Sequence, residues 1–145
     1  ITVRDWSSDV CSSDLNAMSI SYIQTDKAPA AVGPYSQAVR VGDMVHVSGQ
    51  LGLDPGTGAF AGSDFASQAR QALTNIRAIL AEAGCGMKDI VSADVFVTDL
   101  GNFRQFNDIY VEFMGGHKPA RAVVQVSALP LGGVVEMKCV AQIPA

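Results

Sequence analysis

Arg121, Glu136, Asn107, Ser48 and Tyr35 are the side chains in this sequence whose types suit the binding and activation of a small polar molecule. Arg121 follows Lys118-Pro119-Ala120 and heads the run Ala122-Val123-Val124-Gln125-Val126, which places a cation at the mouth of an otherwise apolar segment. Its guanidinium keeps its proton and offers a planar fork that matches a carboxylate. The competing explanation is a snorkelling surface arginine or a structural ion pair. Glu136 stands near the start of the last apolar run. It is either a cross-strand partner of Arg121 or Lys138, or a carboxylate that orients or deprotonates a water beside a bound anion. Asn107 lies within an apolar helical stripe, where a buried amide must be hydrogen-bonded, so it holds a neighbouring loop or points into a pocket. Tyr35, directly after Gly33-Pro34, is a core aromatic with a satisfied hydroxyl or a donor at the edge of a site.

These residues need a scaffold, and the hydrophobic periods predict one of the α+β class. A short strand is expected over residues 19–25, and a loop over 26–33 ends at the Gly33-Pro34 turn. Two β-rich runs, 36–41 and 44–53, are joined by Gly42-Asp43, the chemistry of a tight hairpin. From Ser63 or Asp64, apolar residues recur at Phe65, Ala69, Ala72, Leu73, Ile76, Ile79, Leu80 and Ala83, a helical period that Gly84 closes. A strand over 90–98 follows. Asn102 and Gln105 then resemble a capping box for a second helix with the inward stripe Phe103, Phe106, Asn107, Tyr110, Phe113 and Met114. Pro119 ends helix before the arginine strand, and a last strand is expected over 134–143.

Period-two alternation sorts the strands into two faces. One carries Val45, Val47, Gly49 and Leu51, then Val91, Ala93, Val95 and Val97, then Ala122, Val124 and Val126, then Val135, Met137, Cys139 and Ala141. It is small and apolar, and is expected to lie under both helices. The other face carries His46, Ser48 and Gln50, Asp94 and Phe96, Arg121 and Val123, Glu136 and Lys138. Ser48, Arg121 and Glu136 should therefore project together from the uncovered face. A second face this mixed is expected to meet another subunit, so homo-oligomerisation through the sheet is predicted.

Composition narrows the functional classes. A chain of 145 residues, 48% hydrophobic, suits one compact domain. Residues 1–17 contain Ser-Ser-Asp twice and no period, read as vector or tag sequence and are set apart from a single domain over 18–145. The formal net charge is −4, and no window of the domain is basic, which argues against a nucleic-acid partner. No apolar run approaches bilayer length. Cys85 and Cys139 form no CxxC, His46 and His117 lack ligand-spaced partners, and a reducing, cytoplasmic setting with no metal is expected. There is no phosphate-binding glycine loop, nucleophile elbow or dinucleotide fingerprint.

Gly33-Pro34-Tyr35-Ser36-Gln37-Ala38, Val47-Ser48-Gly49-Gln50, Asn107, Pro119-Ala120-Arg121 and Val135-Glu136-Met137 occur in an order and spacing that resembles the reactive-intermediate deaminase family (Rid, YjgF), also called the L-PSP endoribonuclease family. The resemblance covers essentially all of 18–145. It implies a chorismate-mutase-like fold, with a mixed sheet and two helices on one face, and a homotrimer with clefts at subunit interfaces. It also implies hydrolysis of 2-imino or enamino acids, such as 2-aminoacrylate, to 2-oxo acids and ammonia. In that role Arg121 would hold the substrate carboxylate and Glu136 would position the attacking water, while Tyr35, Ser48, Asn107 and Val123 would line the cleft. Val123 stands where many members carry cysteine, which weakens any role for a thiol there. No metal or cofactor is implied, because an imine carbon is already electrophilic and needs only orientation, a clamp and a proton acceptor. The alternatives are an endoribonuclease acting on single-stranded RNA and a non-enzymatic small-molecule-binding trimer.

Overall fold

The computed structural model of the protein describes residues 19–145, so the expected tag-like segment lies outside the described residues. Six strands, β1 (Ile20–Ile23), β2 (Ala38–Val41), β3 (Met44–Leu51), β4 (Ile90–Val97), β5 (Ala120–Gln125) and β6 (Val135–Gln142), form one sheet in the order β1-β2-β3-β6-β4-β5. Only β4 and β5 pair in parallel; the other neighbours are antiparallel. Gly42, at φ 60°, makes the tight turn that sets Val41 opposite Met44, as the Gly42-Asp43 dipeptide predicts. A parallel pair requires a crossover connection, and the helix between β4 and β5 provides it.

Helix α1 (Phe65–Glu82) begins where the Asp64 carboxylate accepts the Ser67 N–H at 3.0 Å, and it stops before Gly84, at φ 83°. Its buried stripe of Phe65, Ala69, Leu73, Ile76 and Leu80 packs with Val45, Val95, Val135 and Met137 of the sheet in one apolar cluster. Burial pushes the Cys139 thiol up to about 12, which fits the small apolar role expected of it. Two polar residues of α1 are also buried, and both are satisfied. Asn75 donates to the carbonyls of Leu51 at 3.1 Å and Leu53 at 2.9 Å, and Gln68 donates to Gly62 O and accepts from Val134 N. They tie the helix to the loops that leave β3 and enter β6.

Helix α2 (Phe103–Met114) corrects one expectation about its start. Asn102 makes no side-chain cap; the chain enters through a 3₁₀ turn, Leu100–Asn102, and Asp99 accepts the Gly101 N–H at 2.8 Å. The capping duty thus moves three residues upstream of the predicted box. The buried stripe is Phe106, Ile109, Tyr110 and Met114, whereas Phe103 is 41% exposed. Gly115 ends the helix in the left-handed conformation at φ 59°.

The face assignment fails at three places, each for a structural reason. A bulge between Val47 and Gln50 turns Gln50 to the helix side, opposite Met137, and sends Gly49 and Leu51 to the open face beside Glu136. A second irregularity between Ile90 and Ser92 buries Ile90 and leaves Val91 46% exposed. The third concerns β5. Its parallel register sets Arg121 beside buried Ala93 and Val123 beside buried Val95, while Ala122 and Val124 accompany Asp94 and Phe96. Arg121 therefore projects on the helix side, not with Glu136. No helix among the described residues is long and apolar enough to cross a membrane.

Candidate active site

Arg121 lies along one stripe of α2. Its Nη1 donates to Asn107 Oδ1 at 2.8 Å, and its Cζ sits 4.9 Å from the Tyr110 ring centroid and 5.8 Å from that of Phe103. Phe103, Asn107 and Tyr110 are spaced i, i+4 and i+7, so one helical face supplies all three contacts. The two salt bridges among the described residues are Arg70–Glu112 and Lys138–Asp94, and neither involves Arg121. The ion-pair explanation of Arg121 is thereby removed for the isolated chain. The guanidinium opens into a cleft of about 370 Å³ whose lining includes Asn107, Tyr110, Lys118 and Pro119. Asn107 is half-buried, and its amide serves the arginine, not a loop.

Glu136 lies in a second cleft, of about 680 Å³, on the open face of the sheet, with Tyr35, Gly49, Leu51, Val32 and Leu131 around it. Partial burial raises its pKa above the ordinary glutamate value. Gly49 leaves room here: a Cβ at that position would meet Glu136 Oε1 and force the carboxylate to shift. Tyr35 is 52% exposed, so of its two readings the core aromatic is excluded. Its presentation depends on Gly33, at φ 126°, whose carbonyl accepts the Tyr35 N–H at 2.9 Å.

The sequence reading missed Gln37. It is 2% exposed, accepts from Thr25 N at 2.7 Å, and donates to the carbonyls of Thr25, Ala28 and Pro29. One amide thus pins the loop that lines the Glu136 cleft. The signal was present as a glutamine inside the strand expected over 36–41, where a buried long amide has to find backbone partners. Leu131 was missed as well. It adopts φ 59°, the left-handed region that disfavours side chains, and it is 75% exposed at the rim of the same cleft.

Ser48 and Val123 line neither cleft. The Ser48 hydroxyl donates to Ser36 O at 2.6 Å and its N–H to Gln37 O, so it braces the segment that carries Tyr35. Val123 packs against the core. The expected trio of Ser48, Arg121 and Glu136 on one face is thus replaced by two half-sites on opposite sides of the sheet. One is a cation with an open edge and the other a carboxylate with a raised pKa.

Comparison with known proteins places this arrangement in a family. A family model described as Endoribonuclease L-PSP matches residues 25–143. The chain is 49% identical over 119 residues to a Bos taurus protein named 2-iminobutanoate/2-iminopropanoate deaminase, covering 82% of this chain and 87% of that one. Among solved structures it is similar to RidA from the Antarctic bacterium Psychrobacter sp. PAMC 21119, at 50% identity and a TM-score of 0.82, over 85% of this chain and 99% of the other. It also resembles E. coli TdcF with bound serine, at 40% identity and a TM-score of 0.81, over 84% and 98% of the two chains. The order of Gly33-Pro34-Tyr35, Ser48-Gly49, Asn107, Arg121 and Glu136, the six-stranded sheet under two helices and these matches agree, and the chain belongs to the Rid (YjgF, endoribonuclease L-PSP) family.

Proposed function

We propose that the protein hydrolyses 2-imino acids and their enamine tautomers to 2-oxo acids and ammonia, in clefts that two neighbouring chains of a homotrimer build together. The observation that carries this reading is Arg121: a cation held at one nitrogen by Asn107 and on its flanks by two rings, with no carboxylate partner among the described residues. Its remaining N–H groups are free to take the carboxylate of a small acid. With the substrate so fixed, a water bonded to Glu136 adds to the C=N carbon, the carboxylate accepts the water proton, and the nitrogen gains one. The resulting carbinolamine loses ammonia and leaves the carbonyl of the 2-oxo acid. An enamine enters the same sequence after protonation at carbon. A carboxyl group with a raised pKa suits both accepting the water proton and returning it to the departing nitrogen.

A single chain holds Arg121 and Glu136 on opposite sides of its sheet, so their joint use on one small molecule calls for two chains. The exposed apolar residues around the Glu136 cleft, with Val32 at 85% and Leu131 at 75%, favour a partner surface there. The names of the deaminase relatives and the serine bound to TdcF also favour a small amino-acid-derived substrate. The family description names an endoribonuclease, yet a net charge of −4 and the compact Arg121 cleft offer a polyanion little to hold.

The test is to generate 2-iminopropanoate in situ with an amino-acid oxidase acting on alanine, and to follow decay of the imine with and without the protein. Decay faster than the spontaneous rate is expected, with a single-stranded RNA left intact in parallel. Unaltered decay would reject the assignment.

A further inference from the structure

We infer that Tyr110, assisted by Phe103, is a positioning residue that sets the plane of the Arg121 guanidinium for a planar anion, an inference that rests on the anion-binding role proposed for Arg121. Arg121 is exposed on the edge strand β5, where an arginine side chain ordinarily samples several rotamers. Here two kinds of contact restrict it. The Asn107 bond at 2.8 Å fixes one nitrogen, and the rings at 4.9 and 5.8 Å hold the guanidinium over their faces. Together they constrain both the plane of the fork and its rotation within that plane. A carboxylate then meets donors already arranged.

Tyr110 is suited to this because it is itself fixed. It is 7% exposed, its ring lies 5.6 Å from that of Phe106, and Phe106 meets Phe65 edge-on at 6.4 Å. A column of rings therefore runs from the core of α1 through α2 to the cation. The Tyr110 hydroxyl is buried and has no hydrogen-bond partner among the described residues, so the ring, not the hydroxyl, is the part that serves Arg121. Such a hydroxyl is unfavourable for folding, and phenylalanine at this position should be tolerated.

The experiment uses pyruvate as the probe, titrated calorimetrically into the full-length assembled protein, together with steady-state kinetics on in situ 2-iminopropanoate. Tyr110→Phe should bind pyruvate within about twofold of the unmodified protein and melt no lower, because the ring remains. Tyr110→Leu should weaken pyruvate about tenfold and raise KM more than it lowers kcat, the size expected for losing one half-buried cation–π contact. Phe103→Leu, at a 41% exposed position where folding is not at stake, should weaken it about threefold. If Tyr110→Leu does not fold, Phe103→Leu decides. Full affinity in the folded leucine variants, with binding abolished in Arg121→Ala, would overturn the positioning role alone. Unchanged binding in Arg121→Ala would instead overturn the role of the arginine on which it rests.

Discussion

Replacing Arg121 by alanine is expected to leave a folded, assembled protein that has lost nearly all turnover of 2-imino acids. The fold should survive because the side chain is exposed on an edge strand and forms no ion pair among the described residues; only the Asn107 bond and two ring contacts disappear. Exposed substitutions of this kind usually shift stability by within about 0.5 kcal/mol. The catalytic effect is far larger. The arginine supplies a charge-assisted bidentate contact and with it the orientation of the imine carbon toward water, so kcat/KM should fall about 10²- to 10⁴-fold. Arg121→Lys should recover only part of this, because an ammonium keeps the charge and loses the planar fork. Progress curves on imines from several amino acids, with circular dichroism on the same samples, measure both halves. Undiminished turnover in the alanine variant would count against the arginine-centred mechanism.

The second large effect concerns Glu136→Gln. Desolvation raises the pKa of Glu136, so its working, ionised form is lost at a higher pH than for an ordinary carboxylate. The acid limb of kcat/KM should accordingly be displaced upward from that of an ordinary glutamate. In the glutamine variant that limb should vanish and the plateau should drop by about 10²- to 10³-fold, the usual worth of a positioned proton acceptor. Stability moves the opposite way. A carboxyl group whose folded pKa is raised favours the folded state most below its unfolded pKa, and that contribution is lost as pH rises through the folded value. Glu136→Gln should therefore raise Tm at neutral pH, with the gain shrinking toward acid. A variant that keeps the wild-type acid limb would show that some other group titrates it.

Much of this architecture was legible in the residues. Gly42-Asp43 specified the hairpin, Asp64 and Gly84 bounded α1, and β6 alternated as read, with Val135, Met137, Cys139 and Ala141 all buried. The candidate side chains Arg121, Glu136, Asn107 and Tyr35 stood out by type and order as well. Their placement in space was less so. Alternation reports which residues are apolar, and on β5 both faces are: Val123 packs inward while Val124 is 42% exposed on the other side. An edge strand with apolar residues on both faces carries no polar side to break the tie. The bulge at Ser48-Gly49 shifts every later residue of β3 by one, which no local pattern announces except the glycine that lies against Glu136. Asn107 was singled out for being polar in an apolar stripe, and the structure supplies the reason, since the stripe of α2 is built to hold a cation.

Reassembly of mixed chains tests the shared cleft most directly. Arg121→Ala and Glu136→Gln chains, each inactive alone, are unfolded together, refolded as an equal mixture and assayed on 2-iminopropanoate. In a ring of heterologous contacts, a site that draws its arginine from one chain and its glutamate from the next is intact about one time in four, so about a quarter of wild-type activity should return. A mixture no more active than the two variants assayed separately would mean that both groups serve from the same chain, or do not act together at all.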